Sequence, residues 1–79
     1  MKKAENIGRN IKAYLKKRGM TRMAFSHDIG YPLSSISNWV HKEKPVMPNA
    51  EALLDIADYF GVSVDELYED PEEEDEESI

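Results

Sequence analysis

The chain has 79 residues, 33% of them charged and 41% hydrophobic, with a formal net charge of −6 and no cysteine. That is the length of one small domain, which buries only about 60% of its unfolded surface. It excludes disulfides and thiolate metal sites, and no apolar run approaches the roughly 18 residues of a membrane span. The start is polar after Met1, without the apolar stretch of a signal peptide.

The charge is unevenly spread. Residues up to Pro48 carry all ten bases and three acids, a balance of +7, whereas Asn49 onward carries thirteen acids and no base, a balance of −13. Six of those acids lie in Glu72 to Glu77, so residues 1–70 are electrically balanced, with ten bases and ten acids. The expected organisation is a folded domain over 1–70 and a disordered acidic tail over 71–79, because a run of like charges repels itself and buries nothing. The acidic ending is read as the close of a complete chain.

The first helix is expected from Ala4 to Arg18, with Ile7, Ile11, Tyr14 and Leu15 in one apolar stripe. Lys16, Lys17 and Arg18 suit the negative end of its dipole, and Gly19 suits a left-handed cap. Thr21 is the expected N-cap of a second helix reaching Ile29, with Phe25 and Ile29 inward and Gly30 as its end. The third helix is expected from Pro32 to His41, with Pro32 in its first turn. Ile36, Trp39 and Val40 face inward, and Ser34, Ser37, Asn38 and His41 face outward. Both helices are too short to be stable alone and depend on docking. After a loop from His41 to Pro48, Asn49 caps a fourth helix reaching Phe60, with Leu53, Leu54, Ile56, Ala57 and Phe60 as its apolar surface and Gly61 as its end. Ser63 and Glu66 form the pattern of a capping box, which predicts a fifth helix over Val64 to Tyr68. No strand pattern and no repeat is present, so the fold class is all-α.

The order of parts carries the function. A capped short helix, a tight glycine turn and a second short helix with small polar side chains outward form a helix-turn-helix. Such a unit lies across a DNA backbone and sets its second helix in the major groove, where bases expose distinguishable donors and acceptors. A hairpin of helices built only for packing would show the same short turn.

From Ile7 to Leu67 the chain resembles the Cro/repressor-type helix-turn-helix family of temperate phage repressors and small bacterial regulators. The residues carrying the likeness are Ile7-Gly8 and Ile11, Gly19-Met20-Thr21, Gly30 and Ile36-Ser37-Asn38-Trp39, then Pro48, Leu53-Leu54-Asp55-Ile56-Ala57 and the closing Phe60 to Leu67. The resemblance implies a five-helix domain that binds a double-stranded operator, usually as a homodimer, and controls transcription in the cytoplasm of a bacterial or phage-infected cell. It assigns Thr21 and Arg22 to the DNA backbone, Leu33, Ser34 and Asn38 to the bases, and His41, Lys42 and Lys44 to further phosphates; Ser35, small and polar near the start of the same helix, joins the DNA-facing set on its own chemistry. Arg22 stands where glutamine is common and is a good phosphate ligand.

The chain departs from the family at several positions. Leu33 is apolar where a polar or basic residue is usual, Val40 replaces a frequent glutamate, Pro32 a frequent Ser/Thr cap and Ser26 a usually buried alanine. The reading face therefore lacks an arginine or glutamine able to hold a base bidentately, although Asn38 could pair with adenine and Leu33 touch a thymine methyl. An alternative function follows: a modulator or antirepressor of a lysogeny switch, capturing a partner repressor through Leu33, Val40, Val46 and Met47, with the acidic half attracting a basic partner.

The remaining features have plainer readings. Trp39, Tyr14, Tyr59 and Tyr68 are expected to cover the core, and the basic cluster of the first helix to be a solvated face. His27 and His41 stand fourteen positions apart without a carboxylate at ligand spacing, so no metal or other cofactor is expected. No nucleophile–base set points to an enzyme. The tail reads as a solubilising extension, or as a segment in which Glu72 to Glu77 folds back on Arg22, Lys42 and Lys44.

Overall fold

The computed structural model describes residues 3–71, so the expectations for Glu72 to Glu77 lie outside the described residues. Five helices follow in order: α1 (Lys3–Arg18), α2 (Arg22–Ile29), α3 (Leu33–Trp39), α4 (Ala50–Phe60) and α5 (Val64–Leu67). No strand occurs among the described residues.

The stripe on α1 does what its spacing demands. Ile7, Ile11 and Leu15 are buried, and Tyr14 packs half-buried against Phe60 with ring centroids 4.8 Å apart. These side chains meet Phe25 of α2, Ile36 and Trp39 of α3, Ala52, Leu53, Ile56, Ala57 and Phe60 of α4, and Leu67 of α5 in one core. Each large apolar side chain removed from water there contributes about 1.5–3 kcal/mol. Tyr59 and Tyr68 border the same core half-buried, and Ile29 does so as well, rather than joining Phe25 at full burial.

The cap chemistry follows the sequence at every expected position. The Thr21 hydroxyl accepts the Ala24 N–H at 3.0 Å and the Asn49 carbonyl oxygen of the side chain accepts that of Ala52 at 2.8 Å. Ser63 and Glu66 close a reciprocal capping box at 3.1 and 2.7 Å. Gly30 turns the chain between α2 and α3 with a φ of 84°, a conformation that a side chain would strain.

Three expectations need correction. Pro32 does not enter the first turn of α3. It precedes the helix as its N-cap, with φ −60° and ψ 148°, and supplies no side-chain cap bond. The helix ends at Trp39 instead of His41, because the loop folds back and the Val46 N–H donates to the Asn38 carbonyl at 2.9 Å. Leu54 lies on the outer side of α4 and is 62% exposed, because Ala52, Leu53, Ile56, Ala57 and Phe60 already fill the face turned to the core.

Arg18 also does more than favour the helix dipole. Its guanidinium lies 4.9 Å from the Phe60 ring centroid and donates to the Phe60 carbonyl at 3.5 Å, joining the end of α1 to the end of α4. Opposite, the buried Asn10 amide donates to the Leu67 and Glu69 carbonyls, both at 2.8 Å, and to that of Glu66 at 3.3 Å. Asn6 donates to the Tyr68 carbonyl at 2.9 Å. A one-turn helix such as α5 exposes nearly all its carbonyls, and these two amides satisfy those of Glu66 and Leu67 at its end and of Tyr68 and Glu69 just after it.

Candidate nucleic-acid interface

Helices α2 and α3 pack on each other across Gly30. The Ser26 hydroxyl donates to the Tyr31 carbonyl across the turn at 2.6 Å, so serine in place of the usual alanine satisfies a carbonyl that the turn leaves without a helical partner. Tyr31 stands edge-on to Trp39, with centroids 5.3 Å apart. Its hydroxyl donates to Asp55 of α4 at 2.6 Å. That bond, reinforced by partial desolvation and the negative charges of Asp55 and Glu51, pushes the Tyr31 phenol up to about 12. The Tyr59 phenol is likewise raised, chiefly by its 2.8 Å bond to Asp28 of α2. The two phenols thus pin the helix-turn-helix to α4.

With Ile36 and Trp39 turned into the core, the opposite face of α3 is presented to water. Leu33, Ser34 and Asn38 are exposed there, while Ser35 and Ser37 are half-buried. α3 carries no charged residue. The cations lie on its flanks: Arg22 opens α2, and Lys42 and Lys44 follow α3, all three exposed. Thr21 is exposed with its oxygen committed to the cap of α2. His41 has a structural task that its sequence position did not reveal, since its Nδ1 accepts the N–H groups of Glu43 and Lys44 at 3.2 and 3.0 Å and so shapes the loop that carries the two lysines.

Val40 is corrected. It is 2% exposed and packs in the core, because the chain leaves α3 directly over α1. It offers nothing to a partner surface. Leu33, Val46 and Met47 are exposed at 38%, 50% and 42%.

The residues that the sequence reading undervalued are in α1. Arg9 and Lys12 line a groove of about 280 Å³ together with His41 and Lys42. The signal was present in Gly8, since a Cβ at that position would overlap the Trp39 carbonyl oxygen and lie 3.1 Å from the Val40 Cα. Such a glycine marks a close approach of two backbones, here α1 against the end of α3.

A glycine-turned helix pair with one helix buried on its inner side, polar on its outer side and flanked by cations defines the helix-turn-helix class of DNA-binding proteins. The model of the Cro/C1-type HTH DNA-binding domain family matches residues 10–73. The chain belongs to that family, and is thereby a DNA-binding transcription regulator. No curated protein and no solved structure matches it significantly. Among the described residues no group of acids and histidines is arranged to hold a metal ion, and no helix is long and apolar enough to cross a membrane.

Proposed function

We propose that the protein regulates the genetic switch of a phage or mobile element by setting α3 into the major groove of an operator. Leu33, Ser34, Ser35 and Asn38 face the bases, and Thr21, Arg22, His41, Lys42 and Lys44 follow the phosphates on either side. The observation that carries this reading is the division of α3, whose inner residues Ile36 and Trp39 are buried while Leu33, Ser34 and Asn38 are exposed between flanking cations. Asn38 is the side chain best suited to a base, an adenine, and such a contact gives about 1–3 kcal/mol of discrimination. The half-burial of Ser35 and the loop bonds of His41 leave those two the smaller share.

A binding titration across salt, with DNA from the gene's own neighbourhood, tests the proposal. Affinity falls steeply with salt as phosphates are neutralised. Arg22→Ala lowers the salt slope by about 1 and weakens all sequences alike, whereas Asn38→Ala relaxes the preference for one sequence. Absence of binding at micromolar protein in low salt overturns it.

A second reading rests on the exposed Leu33, Val46 and Met47. The bond from the Val46 N–H to the Asn38 carbonyl brings the backbone at Val46 to the end of the reading helix, and exposed apolar side chains beside charged ones suit a partner repressor protein. In a mixing experiment with neighbouring repressors, Leu33→Asp abolishes the complex if this surface is used. An undiminished complex rejects it.

A further inference from the structure

Positive charge also gathers beside the helix-turn-helix, where Arg9 and Lys12 of α1 meet Lys42. In the groove between α1 and the segment after α3, the buried Gly8 and Val40 form the base, and Arg9, Lys12, His41 and Lys42 line the sides against a single acid, Glu5. At 3.6 residues per turn, positions 5, 8, 9 and 12 share one side of α1. Asn6, Asn10 and Tyr14 fall on the other side, where a groove of about 240 Å³ is lined by Glu66, Glu69 and Asp70.

The chain leaves the described domain between these two grooves. Asn6 and Asn10 hold the carbonyls of Leu67, Tyr68 and Glu69 against α1, and Asp70 pairs with Arg9 at 3.7 Å. Arg9 therefore both receives the outgoing chain and lines the basic groove. Eight residues follow Pro71, six of them acidic. Extended, they reach about 26 Å, whereas the way around one side of a helix 10–12 Å across is only about 10 Å. One groove repels this segment and the other attracts it.

We propose that the groove beside Arg9, Lys12 and Lys42 is a binding site for an acidic peptide, and that its occupant is the chain's own Glu72 to Glu77. This relocates the fold-back reading of the tail: Lys42 lines the groove, and Arg22 and Lys44 do not. The inference goes beyond the DNA-binding proposal and stands or falls without it.

The protein has no cysteine, so Ser78→Cys in the full chain accepts a single paramagnetic label. With no DNA present at low salt, the label broadens the amide signals of Gly8, Lys12 and Lys42 at least twofold more than those of Val62 and Glu66. The difference disappears in high salt, because the Debye length shrinks to about 3 Å at 1 M, and in a variant with Glu72, Glu73, Glu74 and Glu76 replaced by Gln. Lys12→Glu combined with Lys42→Glu abolishes it while the remaining spectrum reports an intact fold. Even broadening over the surface, broadening centred on Val62 and Glu66, or a pattern indifferent to salt overturns the proposal.

Discussion

The two sides of the molecule are held together by different means. On the α1–α5 side, Asn6 and Asn10 reach across 56 to 62 positions of sequence to hold backbone carbonyls. On the α2–α3 side the link to the rest is apolar packing of Phe25, Ile36 and Trp39, with two phenol–carboxylate bonds at the rim. The difference separates stability from recognition. The clasp needs particular polar side chains, whereas the outer residues of α3 have no packing duty and are free to be chosen for a ligand.

The sharpest way to break the comparison is at the seam where both sides meet. Gly8→Ala sets a methyl group against the Trp39 carbonyl oxygen, and no side-chain rotation relieves a clash with backbone. Overpacking costs about 1–3 kcal/mol and occasionally more, a large part of the stability of a domain this small. Thermal unfolding followed by circular dichroism should show the largest fall in Tm of any single substitution on the surface of α1. An unchanged Tm would mean that α1 and α3 can separate without cost.

Asn10→Ala tests the clasp itself. It leaves the carbonyls of Glu66, Leu67 and Glu69 without their shared donor, at a cost of about 1–3 kcal/mol for the buried part. Amide exchange should accelerate first in α5, and Asn38→Ala on the opposite side should stay within about 0.5 kcal/mol of the parent. Equal losses from both would erase the contrast between the two sides.

The smallest effect is a bond that is lost only at alkaline pH. The Tyr31 phenol titrates near 10 when unfolded and at about 12 in the folded protein, so the folded state favours the neutral form. Its contribution to stability is complete below pH 10 and is lost as pH rises from about 10 through 12. Tyr31→Phe should lower the denaturant midpoint modestly at neutral pH, where the bond to Asp55 is intact, and flatten the decline above pH 10. A parallel decline in both proteins would deny the link between Tyr31 and Asp55.

Much of this was legible beforehand because it is local. Thr21, Asn49 and the Ser63–Glu66 box bond within three residues, and the stripe of Ile7, Ile11 and Leu15 needs only helical periodicity. Leu54 was misassigned because a helix with apolar residues on most of its surface does not say which of them the neighbours will cover, whereas Val40 is buried as its inward position predicts and so is lost to a partner surface. Pro32 was assigned one position too far into α3, since its fixed φ suits both the first turn and the residue before it.

The sequence by itself determined the five helices, their caps, the turn at Gly30 and the family, all properties of neighbouring residues or of their order. Only the tertiary structure decided that Ser35 and Ser37 are half-buried and that His41 shapes its loop. It also decided that Arg9 and Lys12 meet Lys42, and that the chain leaves the domain between an acidic and a basic groove. Net charge is a sum over the chain, but binding responds to charges brought within a Debye length, and folding alone sets those distances.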